Sequence, residues 1–243
     1  MKEPGKEIAV SESKALAKPS YIKESTQGTE DIEVQHILLP CCKVIQPMSA
    51  EHTDSNVSLG NFANNISIVD YGPQIDFICL FAKPGWQLYA VDAQGKQGDL
   101  IARKFAGDFI APMNADAITD DMKQWKGKVP PRAVETYLFV GIVNGEDLCA
   151  MYFKGKATTA GKKLNTMLIS RPEAAFAKHY TMTSHKETNE KGTFFVPDIK
   201  SAGYLTEKEY AMAEALFTKY SKAKLNPDTI KEEAPKEEKE HPF

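Results

Sequence analysis

Catalysis requires a nucleophile beside a base, a carboxylate pair, a metal-ligand set or a phosphate-cradling loop, and each leaves a spacing in the chain. Those spacings are missing. There is no Gly-x-x-x-x-Gly-Lys-Ser/Thr, no Gly-x-Gly-x-x-Gly after a strand-like run and no His-Glu-x-x-His. Asp116, Asp120 and Asp121 precede Lys123 and have the chemistry to hold a cation, but neighbouring acids in a polar stretch are more often simply solvated. The five histidines are scattered, and none stands at ligand spacing from another histidine or a carboxylate. Cys41 and Cys42 are adjacent, Cys79 and Cys149 sit in apolar runs, and no Cys-x-x-Cys occurs. Four buried free thiols in a reducing compartment are expected. The residues therefore point away from an enzyme and call for no cofactor and no metal.

Binding chemistry is better represented. A protein that holds a single nucleic-acid strand needs cations along the phosphates and aromatic faces for the bases, each stack contributing ~1–3 kcal/mol. Phe81 to Tyr89 offers Lys83, Trp86 and Tyr89 around an expected turn at Lys83-Pro84-Gly85. Arg103 and Lys104 precede Phe105, at what reads as a strand end. Tyr152-Phe153-Lys154-Gly155-Lys156 continues to Lys162 and Lys163, joining a strand to a helix whose first amides could hold a phosphate. Trp125 lies within Lys123-Gln124-Trp125-Lys126-Gly127-Lys128. One face of every strand must be core, so more than half of these aromatics are expected to be buried. Tyr152 and Phe153 alternate, so at most one of them can stack on a base. Trp86, beside Gly85, is the first choice for exposure and Trp125 the second.

Charge sharpens this reading. The 243 residues carry a net charge of −3, but the chain from Asp228 on holds six acids against three lysines, and residues 1–33 hold seven acids against five lysines. The body between them is net positive. Positions 152–191 alone have eight cations against three acids. The chain ends Glu237-Glu238-Lys239-Glu240-His241-Pro242-Phe243, a segment unable to bury enough surface to fold alone. Its last ring and α-carboxylate could enter a partner's pocket while Glu237, Glu238 and Glu240 meet a basic rim.

That ending resembles the tails of single-stranded DNA-binding proteins, whose bacterial members close an acidic tail with Pro-Phe and recruit replication partners. The run Phe153 to Asn165 and the stretch Gly192-Thr193-Phe194-Phe195-Val196-Pro197 are similar to phage-encoded proteins of about this size. The resemblance implies a phage-type single-stranded DNA-binding protein with an OB-like barrel. Replication or recombination proteins would be recruited through Glu237, Glu238, Glu240, Pro242 and Phe243. Interleaved lysines dilute the tail's acids and leave Phe243 as the more specific element.

The elements that must position these side chains read as mainly β. Short extended pieces at 32–39 and 43–46 precede a polar loop over 49–65. A meander follows at 66–71, 75–81 and 86–91, with turns at Gly72-Pro73, Lys83-Pro84-Gly85 and Gln94-Gly95-Lys96. Ala133 to Val143 is one long strand, Asn144-Gly145 a hairpin turn and Leu148 to Phe153 the return. Helices are expected over 157–169 and 206–221, the second opened by a Thr206/Glu209 capping box, with paired strands at 180–184 and 192–197 between them.

The expected class is mainly β (α+β): an OB-like antiparallel barrel with inserted loops and two or three helices over residues 34–225. It is flanked by disordered arms at 1–33 and 226–243. Single-stranded DNA is the expected partner, with self-association compatible with the role. No apolar run spans a bilayer, and the charged N-terminus does not read as a secretory signal, so a cytoplasmic setting is expected. The competing reading is a phage structural or host-takeover module that binds protein, its basic segment only a solvated face.

Overall fold

A computed structural model describes residues 28, 31, 38–91, 97–107, 110, 112–127, 130–189, 192–221 and 226–227. The chain divides into two units, Met1–Ile32 and Glu33–Phe243, and the second contains every element below. In chain order these are β1 (Leu38–Leu39), β2 (Cys42–Val44), α1 (Ala50–Thr53), β3 (Phe62–Asn64), β4 (Asp70–Gly72), β5 (Gln74–Val91) and β6 (Gln97–Phe105). They continue with β7 (Ala133–Val143), β8 (Asp147–Lys154), α2 (Thr158–Ile169), β9 (Lys178–Asn189), β10 (Gly192–Tyr204), α3 (Glu207–Tyr220) and β11 (Asn226–Pro227).

The main sheet has the order β10-β9-β5-β7-β8, all antiparallel, with β6 also paired to β5. β5 organises it. Phe77 to Leu88 pair with β7 along one side, while on the other side Gln74 to Ile78 take β9 and Gly85 to Val91 take β6. A three-stranded sheet β2-β3-β4 and a parallel β1-β11 pair complete the strands.

Alternation sends successive side chains to opposite faces, and here both faces are covered. Phe77, Cys79, Tyr137, Phe139, Met151, Phe153, Tyr180 and Met182 face Phe62 of β3 and Ala160 and Leu164 of α2. Ile78, Leu80, Leu138, Val140, Ile142 and Ala150 face Leu39, Phe105, Phe176 and Ala213 of α3. Burial on both faces explains why Ala133 to Val143 reads as an almost unbroken apolar run. The α3 cap is the expected one: Thr206 accepts from the Glu209 N–H, and the Glu209 carboxylate accepts from the Thr206 N–H at 2.8 Å.

Several local expectations give way, among them the strand at 66–71, where a turn at 65–67 leaves only Asp70–Gly72 extended. Lys83-Pro84-Gly85 is no turn but the middle of the 18-residue β5. Pro84 is tolerated because its carbonyl accepts from the Ala106 N–H at 2.9 Å, so its own nitrogen also faces the β6 side and no β5–β7 ladder bond is lost. Gly85 is needed because a Cβ there would collide with the Phe105 ring and the Lys104 carbonyl. Arg103 and Lys104 accordingly lie within β6, not beyond its end. The polar stretch 49–65 contains α1 and β3, since Phe62 is fully buried and anchors β3 against the main sheet.

The mainly β, α+β class holds, with three α-helices among the described residues. The sheet stays open instead of closing as an OB-type barrel: β10 and β8 are its end strands, and β2 stands between them, in contact with both. Barrel closure needs the end strands to pair, and β2 occupies that gap. Among the described residues no helix is long and apolar enough to cross a membrane. The tail residues Glu237, Glu238, Glu240, Pro242 and Phe243, and most of the 1–33 arm, lie outside the described residues.

Candidate functional site

A cleft of about 350 Å³ lies where β2 meets β8 and β10. Its walls come from β2, β5, β6, β8, the Gly155–Ala157 turn that leads into α2, and Phe194 to Pro197 of β10. Five of the residues singled out in the sequence meet here although up to 67 positions separate them: Tyr89, Arg103, Tyr152, Lys154 and Lys156.

Register explains the convergence. Gln87 of β5 is the partner of Arg103 on β6, and Thr136 of β7 is the partner of Lys154 on β8. Cross-strand partners share a face, so these residues project to the same side as Tyr89 and Tyr152. Together they form a polar row through an otherwise apolar sheet. Thr136 is 0% exposed, Gln87 5% and Arg103 6%. Buried polar groups need partners, and for Gln87 and Thr136 the row supplies them internally. The Tyr89 hydroxyl donates to Gln87 Oε1 and accepts from Lys154 Nζ, both at 2.8 Å, and Thr136 Oγ1 lies 3.3 Å from the same Gln87 oxygen. Lys154 Nζ also sits 4.5 Å from the Tyr89 ring centroid, within cation–π range.

Among the described residues Arg103, Lys154, Lys156 and Asp99 line the cleft, as does Lys43, which is paired with Glu51 at 3.0 Å. Tyr152, Phe194 and Phe195 are half-buried and add aromatic surface. Gln46 fixes this rim: its side-chain amide accepts from the Phe195 N–H at 2.9 Å and donates to the Phe195 carbonyl at 2.8 Å, in place of a neighbouring strand. Cys42 also lines the cleft, but burial pushes its thiol well above the usual range, with Cys149, Cys41 and Asp147 adding to the rise. A protonated buried thiol is a poor nucleophile. Among the described residues no three His, Cys, Asp or Glu side chains converge as a metal set.

The other candidates lie elsewhere. Trp86 pairs with Lys104, so both project from the opposite face of the β5–β6 ribbon to Gln87 and Arg103. Trp86 is half-buried against Leu88, Ala102, Ile118 and Ala133, with Lys123 Nζ 5.7 Å from its ring. Its expected exposure at a turn fails because there is no turn. Trp125 is 67% exposed, and neighbouring Lys126 is paired with Asp121 at 2.6 Å. Lys162 and Lys163 lie on α2 and pair with Glu135 at 3.2 Å and Asp198 at 2.7 Å. Lys83 is half-buried on β5, outside the cleft lining. The α2 N-terminus has no side-chain cap: Thr158 and Thr159 are inside the helix and Ala157 is at the cap position.

Gln87, Thr136 and the clamp of Gln46 are not singled out in the sequence, and Phe194 enters there only within the phage-like stretch at 192–197. Gln87 had a signal, being the one polar residue between Trp86 and Val91 and two positions from Tyr89. Gln46 had none, because its partner is 149 positions away.

The family model of the Pam3 phage gp34-like protein matches residues 11–226. The chain belongs to that family. Every wall of the cleft falls within the matched segment, and so does the phage-like pattern at 153–165 and 192–197. This gp34-like chain thus has phage relatives, as the resemblance implied, while the family's description carries no activity. Comparisons with curated proteins and with solved structures gave no match.

Proposed function

We propose that this phage-family protein binds single-stranded DNA, with the cleft between β8, β2 and β10 as its principal contact. One observation carries the reading: Tyr89, Arg103, Tyr152, Lys154 and Lys156, remote in sequence, line one cationic and aromatic cleft. Phosphates need cations and bases need flat faces, and the cleft has both. The role is one of binding without turnover, in the cytoplasm of a phage-infected cell during replication or recombination. The acidic segment ending at Phe243 would recruit partner proteins. This assignment makes Trp86, Lys104, Trp125 and Lys126 peripheral and leaves Lys162 and Lys163 to ion pairs.

Binding of a labelled oligo-dT strand and of a duplex, each over a series of salt concentrations, tests the proposal. A preference for the single strand is expected, with a log–log salt slope of roughly −2, the sum of about −0.7 for each of three phosphate contacts. No preference, or no slope, refutes it. A second reading has its own support, since Lys126, Lys162 and Lys163 are all ion-paired as in an ordinary solvated face. It makes the chain a protein-binding phage module and predicts no retention of either DNA on a filter.

A further inference from the structure

The two ends of the Gln87 side-chain amide have unequal fates. The oxygen is engaged: the Tyr89 hydroxyl donates to Oε1 at 2.8 Å and Thr136 Oγ1 at 3.3 Å. Lys154 Nζ, which can only donate, bonds the Tyr89 hydroxyl at 2.8 Å, so that hydroxyl must give its own proton to an acceptor. This fixes which end of the amide is oxygen. Nε2 therefore carries two N–H groups with no hydrogen bond to any described residue. It is not sealed in, because the side-chain atom among the described residues that is both shut off from solvent and without a hydrogen-bond partner is Glu51 Oε2. Gln87 is 5% exposed and lines the cleft, so its Nε2 opens there. A nearly buried donor without a partner is costly, and a ligand acceptor would complete it. The rest of the lining sets the ligand's character. Val44, Phe62, Met151, Phe153, Phe194 and Val196 give apolar and aromatic walls. The ammonium of Lys154 is engaged with the Tyr89 hydroxyl and lies 4.5 Å from that ring's centroid. A neutral donor between apolar walls suits an uncharged flat ring with a carbonyl in its plane. The volume of about 350 Å³, at the lower end of the ~300–1,000 Å³ typical of small-ligand sites, has room for one such ring and not for a stack. Lys156 is exposed where the cleft adjoins a second concavity, between α2 and the β9–β10 hairpin, and the rest of a chain can leave there.

We infer that the cleft is a pocket for one unstacked nucleobase, whose ring carbonyl accepts from Gln87 Nε2 while Phe194 flanks the ring and the sugar-phosphate stays outside, near Lys156. The inference rests on the single-strand reading for the source of that base. A free nucleoside carries the same ring, and the experiment separates the two.

The full-length protein is titrated with two fluorescein-labelled strands of equal length: oligo-dT, and a strand whose thymines are replaced by difluorotoluene, which keeps the outline of the ring and lacks both carbonyls. Their backbone charge is identical, so the sequence-independent electrostatic contribution cancels. The pocket predicts that oligo-dT binds at least about fivefold tighter, although the substitute ring is the more apolar. Gln87→Glu keeps an oxygen for Tyr89 and Thr136 and removes the N–H donors, and should reduce that preference to less than about twofold. Equal binding of the two strands to the unaltered protein overturns the pocket while the single-strand reading stands, and this comparison holds even if Gln87→Glu fails to fold. A preference that survives in folded Gln87→Glu also overturns it, because another group then reads the carbonyl. If neither strand binds, calorimetry with thymidine decides. Binding of thymidine supports the ring pocket and overturns the strand as its source, and no binding overturns both readings.

Discussion

Arg103 and Lys104 are neighbours in sequence, carry the same charge and differ in everything else. Arg103 points into the polar row beside Gln87, and Lys104 points to the other face beside Trp86. Neutralising them separates a positioned contact from general electrostatics. Arg103→Gln should weaken oligo-dT binding by roughly tenfold or more and Lys104→Gln by about twofold or less, read by fluorescence anisotropy at one fixed salt concentration. A second prediction at this scale concerns Glu209. The Thr206 hydroxyl and backbone amide, with His179 adding, lower its carboxyl from 4.5 to about 2. A depressed carboxylate stabilises the fold fully above its unfolded value and loses that contribution as pH falls through the folded one. Thermal unfolding followed between pH 5 and pH 2, the span set by 4.5 and about 2, should show an acid loss that is smaller in Glu209→Gln.

Elements show where local sequence signals suffice and where they mislead. Ala133 to Val143 and the Asn144-Gly145 turn were legible because each is fixed by its own residues: an apolar run, and two residues at φ 51° and 76°. The Thr206/Glu209 box was legible for the same reason. Thr206→Ala removes a side-chain cap and should cost about 1 kcal/mol in denaturant titration, with Thr206→Ser retaining most of it. Pro84-Gly85 carries an equally strong local signal for a turn, and here tertiary context overrides it. The Pro84 nitrogen faces the side of β5 left vacant between β9 and β6, and the Gly85 Cα lies against Lys104 and Phe105. A Cβ at Gly85 must push β6 away, so Gly85→Ala should destabilise by about 1–3 kcal/mol in the same titration. A turn at that position would have tolerated alanine far better.

At the scale of the whole molecule, the sequence revealed the kinds of residue in the site but not their grouping. Twelve basic and aromatic positions look alike along the chain. The pairings Gln87 with Arg103 and Thr136 with Lys154 select the five that share a cleft, and such registers are long-range facts. The expected barrel was a step too far for a related reason: antiparallel strands and turns fix a β class, whereas the intrusion of β2 between β8 and β10 decides whether the sheet closes. The charge map belongs to this scale too. Deleting residues 228–243 removes a net charge of −3, so oligo-dT affinity should be unchanged or higher, and a large loss would count against a recruiting tail. The most direct measurement of the central claim is photo-crosslinking of a 5-iodouracil oligonucleotide to the full-length protein, followed by peptide mapping. The cleft predicts crosslinks at Tyr152, Phe194 or Tyr89, abolished by excess unlabelled oligo-dT. Crosslinks confined to Trp125 and the Lys123 to Lys126 segment would contradict it.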